Sequence, residues 1–122
     1  MKAFLFVGVG GFLGAVARLY TYSLMRYFNS SEFPFATMLI NVLGCFFAGL
    51  LMSVVEKSVP EHRMILQFGV VGILGGFTTY STFGYETFKL IQTNQIQAAI
   101  VNVLGTAVLG IIAVWLGFSI LK

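Results

Sequence analysis

Charge is the scarcest property of this chain. Only 9% of its 122 residues are Asp, Glu, Lys or Arg, where soluble domains carry about a quarter. Four acidic residues and one histidine leave no metal cluster, and neither a phosphate-binding loop nor a catalytic triad can be assembled from the motifs present. Enzyme, nucleotide-binding and nucleic-acid-binding readings fall away together. The single cysteine, Cys45, excludes an intrachain disulfide and reads as a small buried hydrophobe. Proline occurs only twice, so long helices are not interrupted from that side.

What fills the sequence is apolar: 58% of residues are hydrophobic, with 13 Phe and 14 Gly, and the mean hydropathy is +0.94. A bilayer core about 30 Å thick takes about 20 such residues per helix. Four runs qualify, approximately 4–25, 37–55, 64–91 and 97–121. They are continuous rather than alternating, which excludes a membrane β-barrel. The expected fold is an all-α membrane protein, one four-span domain over residues 1–122, with no soluble domain.

The breaks between runs are short. RYFNSSEFPF (26–35) ends in turn residues and Pro34, which suits the start of a second helix because its missing N–H would be unpaired there. EKSVPEHR (56–63) holds half of the acids, and Ser58 to Glu61 reads as a capping box opening the third run. QTNQIQ (92–97) is polar and uncharged. The first run exceeds signal-peptide length and lacks a small-x-small cleavage site, so it is expected to be a retained span. Lys2, Lys57, Arg63 and Lys122 fall on one side of a four-span layout and Arg26 and Lys89 on the other. Four against two is a weak orientation bias. Insertion both ways round, giving an antiparallel pair of copies, is compatible with it.

Helices in lipid associate through close backbone approach, which favours small residues four apart. Gly10 and Gly14 on the first run, and Gly72 and Gly76 on the third, have that spacing; Gly44 and Ala48 repeat it more weakly on the second. Polar residues use the same spacing. Thr37 and Asn41 share a face of the second run, Asn102 and Thr106 a face of the fourth, and Thr79, Thr82 and Glu86 a face of the third, while Tyr80 and Phe83 share another. Any one of these hydroxyls reads as local glue, bonding back to the preceding turn. Polar strips on three of four runs read as a pathway.

The third run adds a stretch of its own, GGFTTYSTFGYE (75–86). Adjacent glycines followed by Thr78 and Thr79 can unwind a helix in mid-membrane, and the carbonyls so freed can hold a cation. Amide and hydroxyl donors with aromatic ring edges tilt the chemistry of the path toward an anion. No carboxylate stands on the first or second run. Glu86 either reaches a hydrated vestibule or stays protonated; Arg18 either snorkels to the interface or makes a vestibule positive. Residues alone give a small-ion conduit.

GGFTTYSTFGYE, with GGFLGAVAR (10–18) and TMLINVLGCF (37–46), resembles the Fluc or CrcB family of fluoride channels over essentially the whole chain. That resemblance implies a four-span subunit with a broken third helix, paired antiparallel with a second copy. It implies two fluoride pores and a central structural sodium ion on backbone carbonyls. Asn41 would stand in the pore wall, and Phe83 and Tyr80 would turn ring edges to fluoride. Ser81, Thr82 and Thr37 would line the path with hydroxyls, joined by Thr106 from the fourth run. Arg18 would face a vestibule, and Gly75 and Thr78 would offer the sodium carbonyls. The chain departs from the family pattern at Tyr80, where the pattern has phenylalanine, adding a phenol that alters or blocks passage.

The resemblance implies passive fluoride export across the bacterial cytoplasmic membrane, with fluoride, lipid and a second copy as partners. The alternative is a four-span, proton-coupled exporter of cationic drugs, which needs a membrane carboxylate, and Glu86 is its one candidate. A structural interaction subunit is the third possibility; it would transport nothing.

Overall fold

The computed structural model of the chain describes residues 1–56 and 64–121. The proposed capping box at Ser58 to Glu61, with His62 and the charges Lys57, Arg63 and Lys122, lies outside them. Among the described residues the chain is all-helical. Helix α1 spans Lys2–Phe28 and α2 spans Phe35–Glu56. A π-helix, Ile65–Leu74, leads directly into the short α3, Gly75–Phe77; α4 runs Tyr80–Gln92 and α5 Ile96–Ile120. Three of these, α1, α2 and α5, are long and apolar enough to cross a membrane.

The connectors follow from their side chains. Between α1 and α2, Asn29 Oδ1 accepts from the Ser31 N–H (2.9 Å) and Ser31 Oγ from the Phe33 N–H (3.1 Å), two consecutive side-chain turns. Pro34 then stands immediately before α2, and its carbonyl accepts the Met38 N–H at 3.1 Å. At the other tight corner, α4 ends with Asn94 at φ 58°, the left-handed conformation that Asn tolerates better than most residues. The Gln95 N–H reaches back to the Leu90 carbonyl (2.8 Å) and the Asn94 N–H to that of Ile91 (3.1 Å), a Schellman end that turns the chain into α5.

Two close packings hold the bundle. Helix α1 lies against the π-helix and α3, and α2 lies along α5. Gly10 and Gly14 face Gly72 and Gly76, the two small-residue pairs anticipated from spacing. A Cβ on Gly14 would run into the Ile73 carbonyl, and one on Gly76 into that of Gly11. Gly49 and Gly117 do the same for α2 and α5, each against the other helix's backbone. Gly49 with Ser53 and Ala113 with Gly117 have the small-xxx-small spacing too, a signal not drawn on above. Gly44 meets the Thr78 methyl group.

The interior is small and partly polar. Ile40, Thr37 and Asn102 are the largest side chains buried without exposure, while leucines, isoleucines and phenylalanines cover the outside of α1 and α5. Such an inside-out arrangement suits lipid, where apolar surface carries no penalty outward and polar groups need partners inward.

Candidate ion pathway

Helical geometry stops at Phe77. Thr78 (φ −74°, ψ 159°) and Thr79 (φ −150°, ψ 112°) are extended, and α4 begins at Tyr80. Asn41, from the middle of α2, holds this interruption with both ends of its amide. Its Oδ1 accepts the Thr79 N–H at 2.9 Å and its Nδ2 donates to the Thr79 carbonyl at 3.1 Å. An uninterrupted helix would give that N–H to the Gly75 carbonyl. Asn41 therefore takes over hydrogen bonds the helix has given up.

Thr79 is the hub on the α4 side. Its Oγ1 caps the new helix by accepting the Thr82 N–H (3.2 Å), donates to Thr82 Oγ1 (3.0 Å) and lies 3.4 Å from Ser81 Oγ. The Thr82 N–H would otherwise serve the Thr78 carbonyl. The carbonyls of residues 75 to 78 thus lose their helical donors, those of Gly75 and Thr78 because the Thr79 and Thr82 N–H groups bond Asn41 Oδ1 and Thr79 Oγ1 instead. Arg18, on α1, donates from Nη1 to the Thr78 carbonyl at 3.2 Å. That contact sets the half-buried Arg18 beside the interruption.

The remaining expected residues fall into three places. Tyr80 and Phe83 pack together, ring centroids 5.7 Å apart and tilted by 42°, with Tyr80 84% exposed on the single chain. Thr37 is fully buried, its Oγ1 2.8 Å from the Tyr22 hydroxyl. Thr106, on α5, is near Asn102 in sequence; Asn102 Nδ2 donates to Thr87 Oγ1 at 2.9 Å. Thr106 Oγ1, Asn102 Oδ1 and Glu86 Oε2 are buried with no hydrogen-bond partner among the described residues. Buried polar atoms are normally satisfied, so these three carry unused bonding capacity.

A cavity of about 530 Å³ adjoins the interruption, between the end of α1, the 29–35 connector and α4. Tyr22, Arg26, Thr82, Glu86 and Lys89 are among its walls. Thr82 belongs both to this cavity and to the hydroxyl cluster, so the donors run without a gap in partners from cavity to Asn41. Glu86 meets the cavity, as a hydrated vestibule would require. The resemblance named Asn41, Ser81 and Thr82 as parts of one lining; here Asn41 bonds the Thr79 backbone, and the Thr79 hydroxyl lies against those of Ser81 and Thr82. Spacing gave Thr79 only as one member of a strip, although a Thr placed immediately before a helical run is a capping signal. Tyr22 was missed; its place four residues after Arg18, on the same face of α1, was the available clue.

Comparison with known proteins agrees with the geometry. The model of the CrcB-like protein family, Camphor Resistance (CrcB), matches residues 5–118. The chain belongs to the CrcB-like family. Among its relatives, the fluoride-specific ion channel FluC of Ruminiclostridium cellulolyticum is 40% identical over 116 residues, covering 95% of this chain and 89% of the relative. Fluoride-specific ion channel FluC 1 of Methanosarcina acetivorans is 39% identical, covering 96% and 88%. The FluC of Flavobacterium psychrophilum is 34% identical across 100% of this chain and 98% of its own length. With three helices able to cross a membrane, this CrcB-like chain is a multi-pass membrane protein.

Proposed function

We propose that the chain is a fluoride-selective channel that exports fluoride passively across the bacterial cytoplasmic membrane, a transport protein and not an enzyme. The relatives named as fluoride-specific channels supply the ion. The observation that carries the route is the interruption at Thr78 and Thr79, set between an amide and a cluster of hydroxyls in an otherwise apolar chain. Fluoride is small and strongly hydrated, so a narrow file of donors must replace its water step by step. Thr82, Ser81 and Asn41, with the Tyr80 and Phe83 ring edges, form that file; Thr106 adds a buried hydroxyl with bonding capacity to spare. The relatives named above are fluoride-specific channels, and the cationic-drug reading is not favoured.

The finer architecture belongs to the same proposal. The stretch from Met64 to Ile91 is a third transmembrane span broken at Thr78 and Thr79, so that each chain crosses four times. Two copies pair antiparallel. In support, α4 turns Tyr80, Ser81 and Tyr85 outward on a single chain, a face with polar groups that lipid alone serves poorly.

Sodium fits the residues present in kind. Gly75 and Thr78 would hold it through backbone oxygens whose helical donors are engaged elsewhere. Two oxygens from one chain are few for a hard cation, and a second copy would double them. When bound, sodium would supply fixed positive charge at the centre of the pair. Arg18 shares the Thr78 oxygen, placing a second positive charge beside it. Asn41 orients the interruption, and the hydroxyls donate to the passing anion.

The test is efflux from proteoliposomes read with a fluoride electrode and a chloride electrode. Fluoride should leave far faster than chloride. Equal rates for both ions, or none for either, would remove the channel reading.

A further inference from the structure

Thr37 is expected from the family resemblance to line the path, yet it is buried without exposure and is not among the walls of the 530 Å³ cavity. Tyr22 is one of those walls, and its hydroxyl lies 2.8 Å from Thr37 Oγ1. We propose that Tyr22 presents the hydroxyl that meets the anion at the mouth of the pathway, and that Thr37 is a positioning residue acting through it. This rests on the channel reading above.

The direction of the shared hydrogen bond follows from burial. A hydroxyl pair needs one donor, and either oxygen can supply it. Were Tyr22 the donor, the fully buried Thr37 O–H would lack an acceptor, since its contact with Tyr22 is the hydrogen bond its side chain makes in the structure, and an unmade buried bond is costly. With Thr37 donating to the Tyr22 oxygen, the buried donor is served. The phenol O–H is then left to face the cavity. Accepting a bond polarises that O–H, which strengthens what it can donate to an anion.

Position on α1 supports the role. Arg18, Tyr22 and Arg26 stand four residues apart and share one face of the helix. Arg26 is in the cavity wall and Arg18 bonds the Thr78 carbonyl at the interruption. Tyr22 stands between them, on the same cavity as Thr82, the member of the Thr79 cluster that lines it. An anion drawn in beside Arg26 and Lys89 would meet the phenol before it meets Thr82.

Fluoride efflux from proteoliposomes tests this through a double-mutant cycle. Tyr22→Phe keeps the ring and should slow efflux about tenfold. Thr37→Val should slow it severalfold, and Thr37→Ser should recover most of that loss. The double variant Tyr22→Phe with Thr37→Val should run no slower than Tyr22→Phe alone, because Thr37 has nothing left to orient. An unchanged rate in Tyr22→Phe, or a double variant slowed by the full product of the two factors, would overturn the proposal. If Tyr22→Phe does not fold, the contrast of Val with Ser at Thr37 decides, and equal rates for those two would count against it. A tyrosine difference spectrum on adding fluoride, abolished by Tyr22→Phe, gives a readout that a merely structural role would not move. Wild-type protein that fails to prefer fluoride would sink the channel reading itself; a selective wild type with an indifferent Tyr22 sinks only this inference.

Discussion

Asn41 does two jobs that its type makes inseparable, accepting from an N–H and donating to a carbonyl of the same residue, Thr79. Asp at that position keeps the acceptor, loses the donor and brings a negative charge toward both the Thr79 carbonyl and the passing anion. Each lost or unsatisfied bond at a buried backbone group is worth about 1–3 kcal/mol, so Asn41→Asp should reduce fluoride flux tenfold or more. Flux equal to wild type would place Asn41 away from the pathway. Tyr80→Phe removes a phenol and leaves the ring against Phe83, 5.7 Å away, so its rate should differ from wild type if the ring borders the path. Residue-scale reading of the sequence reached Asn41 because an amide amid apolar neighbours stands out. It did not reach the bond to Thr79, which joins positions 38 apart and depends on how two helices meet. Nor did it reach Tyr22, since a tyrosine toward the end of an apolar run looks like an interfacial anchor.

Thr79 governs where one helix stops and another starts. Its hydroxyl caps α4 at the Thr82 N–H and also bonds the Thr82 side chain. Thr79→Val is nearly the same shape without the oxygen, and loss of a helix cap costs about 1 kcal/mol. Thermal unfolding in detergent should show a lower midpoint for Val and a near-normal one for Ser. Equal midpoints for Val and wild type would mean that the interruption is held by Asn41 alone. The paired glycines are the other element-scale device. Gly14→Ala would force α1 away from the Ile73 carbonyl, an overpacking that costs roughly 1–3 kcal/mol, whereas Gly8→Ala meets open space and should be silent. Indistinguishable unfolding of the two variants would show that α1 does not depend on that close approach. Four-residue spacing made the Gly10, Gly14, Gly72 and Gly76 contact legible. The π-helical path of Ile65–Leu74 was not, because a single sequence does not record a widened turn; Gly49 with Ser53 and Ala113 with Gly117 carry the same spacing, but nothing in one sequence says that those two faces meet.

At the scale of the molecule, one chain carries a polar interruption, a cavity and an outward face with Tyr80, Ser81 and Tyr85 exposed. It also offers two carbonyls, at Gly75 and Thr78, whose helical donors are diverted. A second copy would answer both deficits at once, covering the polar face and doubling the oxygens. The proposed pair should have twice the 13.4 kDa protein mass in detergent, measured by light scattering corrected for bound detergent; a stable single chain that still conducts would remove the pairing. Sodium then becomes testable through the pair. Arg18 already donates to one of the oxygens, so a cation must compete with a guanidinium there, and its hold depends on all the carbonyls acting together. Replacing sodium on both sides of the membrane with a bulky organic cation should therefore slow fluoride efflux, and Arg18→Gln, which keeps a donor but drops the charge, should make the channel less sensitive to that exchange. Efflux unaffected by sodium in both proteins would mean that Arg18 suffices to hold the Thr78 carbonyl, and that the ion has no part in the architecture.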